Sequence, residues 1–294
     1  MKNRKVLLPV LLMLTILIMG GCAFVTIDLM SLMRIPSMHE RVLYKGTDSK
    51  VLVVEILGLI TTTGVKQMLS SQEGAYERLD SIMNIAEKDP KIKAMIIKID
   101  SPGGSVTASD LVYRRIVDFK TKKKIPTVAC ITNMGASGAY MIALSADRIV
   151  ALPTSMVGNV GVFIPFISFQ GLMDMLGVRD ETIASGKYKV AGSPKKDMTE
   201  EDKAIYKAIV DEMYADFMAK VKKNRPAMTD ADIKIIGDGR VMAANTALNY
   251  HAIDEVGYYE NAVKSVEKLA GITNPTVIVY RRDGEKQGGF YSWP

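Results

Sequence analysis

Lys93-Ala-Met-Ile-Ile-Lys-Ile-Asp-Ser-Pro-Gly-Gly-Ser-Val-Thr-Ala-Ser-Asp-Leu-Val-Tyr113 is the stretch that decides the fold class. Ala94–Ile99 is a short apolar run closed by turn residues, the pattern of a buried strand. Asp100–Gly104 breaks it, and Ser105–Phe119 carries apolar residues at helical spacing. A strand that leads through a glycine turn directly into a helix is half of a βαβ unit. Working outward, the same alternation recurs. Val51–Ile60 reads as a strand, Ala75–Glu87 as an amphipathic helix, Thr127–Ile131 as a strand, Ala136–Ala146 as a helix and Arg148–Ala151 as a strand. Short apolar runs separated by helices imply a mostly parallel sheet or stacked βαβ units, an α/β class. Beyond residue 199 the pattern turns helical: Thr199 with Asp202 forms a weakened capping box, and Tyr206, Val210, Met213, Phe217 and Val221 make one apolar stripe. Asn224-Arg225-Pro226 ends that helix, and a strand is expected at Thr276–Tyr280.

Composition narrows the function. Among 294 residues, 38 Lys+Arg face 32 Asp+Glu, a formal charge of +6. Half of that surplus is Lys2, Arg4 and Lys5, ahead of the first acid, Asp28. The remainder is too small to suggest electrostatic binding of nucleic acid. Hydrophobic residues at 48% and charged ones at 24% exclude disorder as the main state. Two cysteines, Cys22 and Cys130, make neither a disulfide framework nor a cysteine-based metal site. Two histidines, His39 and His251, leave a multi-His metal centre without ligands.

The basic Lys2–Lys5 followed by the uncharged run Val6–Met19 has the layout of an export signal. Met19-Gly20-Gly21-Cys22 is similar to a lipoprotein lipobox, which would make Cys22 a lipidated N-terminus. Extended through Val25, the run is instead long enough to span a bilayer, about 30 Å of helix. Both readings tether the protein and place its bulk on the extracytoplasmic side. Residues 26–49 read as a linker.

Three glycine-rich turns stand at strand-to-helix junctions: Asp100–Ser105, Asn133–Tyr140 and Thr154–Gly161. Gly103 and Gly104 leave amides uncovered by side chains, which suits an oxyanion hole. Ser137, flanked by Ala136 and Gly138, has an approachable hydroxyl on a tight turn, although position 139 is Ala and the G-x-S-x-G elbow is not matched. A serine nucleophile needs a base, and neither histidine stands in a promising context. Lysine remains. A lysine of ordinary pKa is neutral in roughly one molecule in 2,500 at pH 7, so a base requires a shift of about three units, worth about 4 kcal/mol. Ile183–Pro194 offers Lys187 and Lys189 in a small-residue setting, and composition does not choose between them.

Asp100–Ser105, Gly135–Tyr140 continuing to Ala151, Ser155–Gly161, Ser185–Lys189, and Gly239-Arg240 with Ile253–Gly257 resemble, in this order and spacing, the signal peptide peptidase A family, peptidase family S49. The resemblance covers about residues 50–270. It implies a Clp protease/crotonase-like fold of stacked βαβ units with additional C-terminal helices, preceded by an N-terminal membrane anchor. It implies a Ser-Lys dyad with no cofactor. Ser137 is then the nucleophile, Lys189 rather than Lys187 the base, and Gly103 and Gly138 the oxyanion hole. In single-length members the two dyad residues come from neighbouring subunits of an octameric ring. Expected partners are thus peptide substrates such as cleaved signal peptides, the membrane, and further copies of the chain, with no nucleic acid. Asn159 replaces a frequent Ser of the family, and Tyr250-His251-Ala252 replaces the usual small-Gly-Leu.

The resulting layout is residues 1–25 as signal or anchor, 26–49 as linker, 50–270 as peptidase domain, and 271–294 as a strand and flexible tail. A crotonase-like acyl-CoA enzyme and a non-catalytic membrane scaffold are the rival readings. The tail, which holds the only Trp, is a candidate for entering a substrate groove.

Overall fold

Val51–Val54, Ile96, Ile97 and Val128–Ile131 are fully or almost fully buried. Runs with no solvent-facing position are the mark of parallel strands covered on both faces. A computed structural model of the chain describes residues 37–62, 64–67, 70–285 and 290–291. In chain order the elements are β1 (Met38–Tyr44), β2 (Thr47–Ile60), β3 (Val65–Gln67), β4 (Ser70–Gln72), α1 (Ala75–Ala86), β5 (Ile92–Gly104), α2 (Val106–Lys123), β6 (Thr127–Ala136), α3 (Gly138–Ala143), β7 (Arg148–Ala151) and β8 (Met156–Gly158). These are followed by α4 (Gln170–Met175), α5 (Glu200–Asn224), α6 (Asp230–Ile236), β9 (Val241–Ala243), α7 (Ala244–Asn249), β10 (Glu255–Val256), α8 (Tyr259–Ala270) and β11 (Pro275–Arg282).

The main sheet runs β1-β11-β2-β5-β6-β7-β10, with β8 paired to β6 and β9 to β8. β11, β2, β5, β6, β7 and β10 are mutually parallel. Because side chains alternate across a strand, Val51, Val53, Ala94, Ile96, Val128, Cys130, Val277 and Val279 share one face, where Ala262 and Val266 of α8 cover them. The intervening Leu52, Val54, Met95, Ile97 and Ala129 are equally buried. The mixed α/β class read from the sequence is thereby observed. By compact units, residues 37–38 and 282–284 belong to a small unit, within which Ser37 Oγ donates to Asp283 Oδ2 at 3.0 Å, and the remaining described residues form the large one.

Three expectations change. Residues 38–44 and 47–49, read as linker, are strand. β1 is almost wholly exposed, so it carries none of the alternation that marks a half-buried strand. The stripe on α5 faces the core only at Phe217 and Val221, so the front half of this 25-residue helix lies beyond the core. In the tail, Phe290 is 7% exposed within the α8 face of the sheet, its ring 3.8 Å from that of Tyr259. Tyr259 N donates to Tyr291 Oη at 2.8 Å. Phe290 packs on the core, and Tyr291, largely exposed, lies edge-on against Phe290 and Tyr259. Cys22 and the proposed anchor lie outside the described residues, among which no helix is long and apolar enough to cross a membrane.

Candidate active site

β6 places Ser137. Its first half, Val128–Ile131, pairs with β7, and its last residues, Met134–Ala136, pair with β8. On the other side Gly135 stands in register with Ser101 of β5. The strand therefore carries the chain into the second glycine turn under constraint from two neighbours, and Ser137 N donates to Gly158 O at 2.8 Å to complete it. Ser137 itself adopts φ 53°, ψ −125°, a region that costs a non-glycine residue about 1–3 kcal/mol. The half-buried side chain is then delivered at the end of the sheet, where α3 begins.

The first glycine turn packs against this point. Gly103, at φ +100°, has Ser137 Cβ and Gly138 N both 2.8 Å from where its own Cβ would stand. No side chain fits there, which accounts for glycine at that position. Its N–H, however, donates to Ser101 Oγ at 3.0 Å. The expectation that Gly103 supplies an oxyanion donor therefore meets an amide already in use. The neighbouring Gly104 is in register with Ile60, and Ser105 N donates to Ile60 O at 2.9 Å. In a parallel ladder that pattern points the Gly104 N–H away from β2. The same N lies 3.6 Å from the Cβ position of Gly138, and Gly138 is buried tightly against Ser109.

Ser137 opens into a cavity of about 360 Å³ walled by Val160, Val162, Phe163, Val210 and Tyr214, with Asn159, Asp211 and Asp238 as its polar members. The third glycine turn supplies one wall: Asn159 N donates to Arg240 O at 2.7 Å and its Nδ2 to Gly239 O at 2.7 Å. These contacts join the Ser155–Gly161 motif to Gly239-Arg240, 80 residues later. Asp238 is held below the ordinary carboxylate range by Arg240. The walls from α5 and the Asp238 carboxylate were not readable in the sequence, because only tertiary packing brings residues 210–214 and 238 beside residue 137.

Lys189 is placed elsewhere. It is exposed, it is not among the residues lining the Ser137 cavity, and its side chain has no hydrogen-bond or ion-pair partner among the described residues. Lys187 is engaged: it pairs with Glu201, and that hydrogen bond holds its ammonium above the ordinary lysine value. The two lysines that composition left equivalent therefore differ in their contacts: Lys187 is paired with Glu201 and Lys189 is not paired among the described residues. His251, exposed, stands 3.5 Å from Asp232, and neither histidine lines the cavity. Cys130 is buried, its thiol pushed up to about 12 by desolvation, and is a packing residue.

A family model described as peptidase family S49 matches residues 119–273 of the chain. The chain is 36% identical over 206 residues to a protein of Methanocaldococcus jannaschii named as a protease, covering 70% of this chain and 65% of that one. It is 31% identical over 245 residues to an Enterococcus faecium protein named as the signal peptide peptidase SppA, covering 83% and 71%. The chloroplastic serine protease SPPA of Arabidopsis thaliana is 30% identical over 230 residues, and the chain spans 33% of its length.

Proposed function

The chain belongs to peptidase family S49, and on that premise we propose that it is a membrane-tethered serine endopeptidase that degrades signal peptides and similar short apolar peptides on the extracytoplasmic side. The observation that carries the reading is Ser137 on its strained turn, packed against the Gly103-Gly104 turn at the mouth of a cavity with both apolar and acidic walls. Ser137 Oγ attacks the scissile carbonyl while the neutral Lys189 amine takes its proton. Lys189 then donates that proton to the leaving amine, and water releases the acyl group from Ser137. The oxyanion lies between the amides of Gly138 and the Gly103-Gly104 turn. Gly104 is the donor from that turn, with Gly103 providing the close approach.

Lys189 reaches a serine through assembly. The segment that carries it is apolar and uncovered: Phe163 is 81%, Met175 82% and Ile183 99% exposed. An apolar surface of this kind marks an interface, and its occupant in this reading is a second copy of the chain, the lysine of one subunit serving the serine of the next in a ring of eight. The names of the related signal peptide peptidase and serine protease support the peptide substrate.

A fluorophosphonate probe applied to the full chain tests the reading. It labels the wild type and not Ser137→Ala, while Ser137→Ala and Lys189→Ala each abolish peptide cleavage and leave the oligomer intact. Cleavage retained in Lys189→Ala would move the base to Lys187. Absence of Ser137 labelling would favour the acyl-CoA or scaffold readings.

A further inference from the structure

Residues 186–193, Gly-Lys-Tyr-Lys-Val-Ala-Gly-Ser, contain two glycines and no core residue, so their composition leaves the backbone loose. The segment is folded into successive tight turns: Lys189 N donates to Gly186 O, Ala191 N to Tyr188 O and Ser193 N to Val190 O, each at 3.1 Å. Turns of this kind set a local shape without fixing it to the body of the protein. A base has to be fixed, because misplacement of a reacting group by about 1 Å costs on the order of 10²-fold in rate.

The fixing contacts come from the front half of α5, the part of that helix lying beyond the core. Glu201 is in its first turn, behind a complete capping box in which Asp202 N donates to Thr199 Oγ1 at 3.1 Å and Thr199 N to Asp202 Oδ2 at 3.2 Å. The Glu201 carboxylate takes Lys187 Nζ in an ion pair and accepts from Tyr188 Oη at 3.3 Å, and Lys187 Nζ lies 5.1 Å from the Tyr188 ring centroid. On the far side of Lys189, Tyr206 Oη donates to Ala191 O at 2.9 Å, and the Tyr206 ring packs 4.5 Å from that of Phe166. Gly192, at φ +74°, lies so close to Phe166 that a Cβ would stand 2.4 Å from its Cε1. Positions −2, −1 and +2 relative to Lys189 are all held by α5, and the Lys189 side chain is left without a hydrogen-bond or ion-pair partner among the described residues.

We propose that Glu201, by gripping Lys187 and Tyr188, is the positioning residue that presents Lys189 for proton transfer. The inference rests on the Ser-Lys reading above, and it gives Lys187 a role: anchor, not base. Both members of the pair are well exposed, 64% and 60%, so the pair contributes little to folding stability. That separates a positioning role from a structural one.

The test compares wild type, Glu201→Gln, Lys187→Ala and the double variant as full-length assembled protein, with a fluorogenic apolar peptide, across the pH range. Each single change is expected to lower the pH-independent plateau of kcat by about tenfold or more, with KM changed by less than about twofold. The double variant falls no further than either single one, since both remove the same contact. Melting temperature stays within about 2 °C, as for any exposed pair. An unchanged plateau, additive losses, or a shift of the pH profile without loss of plateau would overturn the proposal, the last because it marks a purely electrostatic influence on Lys189. Full activity in Lys189→Ala would instead move the base to Lys187 and defeat the Lys189 assignment on which the proposal rests, whatever Glu201 does.

Discussion

Gly103→Ala tests how tightly the nucleophile is built in. The new methyl would stand 2.8 Å from Ser137 Cβ, 2.8 Å from Gly138 N and 2.9 Å from Ala136 O. Ordinary van der Waals contact begins at 3.4 Å, so these neighbours must retreat by about 0.6 Å, in an interior packed like a crystal. Two of the three contacts are backbone atoms and have no rotamer to change. Positive φ adds about 1–2 kcal/mol of strain for an L-residue, and overpacking adds about 1–3 kcal/mol. The sum, about 2–5 kcal/mol, corresponds to a fall in melting temperature of about 4–20 °C at roughly 2–4 °C per kcal/mol. Displacing Ser137 by that distance is expected to cost about tenfold or more in kcat/KM, a displacement of about 1 Å costing on the order of 10²-fold. Calorimetric melting and peptide cleavage on the same preparation measure both. Gly171→Ala in α4 is the control, since a methyl there meets nothing within 4 Å. A Gly103→Ala protein that melts within about 2 °C of wild type and cleaves at the wild-type rate would refute the packing argument, because strain and collision alone demand more.

Two other outcomes follow from the described contacts. Phe290→Ala empties a core position between Tyr259 and the sheet; it is expected to cost about 3 kcal/mol, read as a lower melting temperature with cleavage per folded enzyme unchanged. A changed KM with unchanged melting would restore the idea that the tail serves a substrate groove. Asp202 and Asp232 are held below the ordinary carboxylate range chiefly by the backbone N–H groups of Thr199 and Thr229. Groups whose folded pKa is depressed add stability that is complete above the unfolded value of about 3.9 and is lost as pH falls through the folded one. Melting temperature should therefore drop below pH about 4, and Asp202→Asn with Asp232→Asn should flatten that drop. An equally steep drop in the double variant would refute the assignment.

The parts of the fold that were legible in the sequence are those with a local cause. The strands at 51–60, 94–99, 127–131 and 148–151 are largely apolar runs, interrupted by charge only at Glu55, Lys98 and Arg148, and the capping box at Thr199 and Asp202 forms as its spacing requires. β5 and β6 run on through their glycine turns to Gly104 and Ala136. The pairing that extends them, Ile60 with Gly104 and Ala136 with Gly158, is long-range and leaves no periodic trace. The site divides similarly. Ser137 and the glycine turns were readable because close approach demands small residues in sequence. The commitment of the Gly103 amide to Ser101 Oγ, the cavity walls from α5 and the pairing of Lys187 with Glu201 were not, because each depends on where another segment lands.

The strand order carries a consequence for how the chain is made. β11 lies between β1 and β2 in the sheet, yet Gly46, in the turn joining those two early strands, waits for Thr276 to accept its N–H across 230 residues. Until that late strand has been made and delivered to the compartment where the chain folds, the two earliest strands have no neighbour between them, and β2 presents an open, strongly apolar edge. At about 5–20 residues per second, that interval lasts on the order of ten seconds or more. Through it, the first-made part of the sheet is a place where holdase chaperones or a second nascent chain can bind.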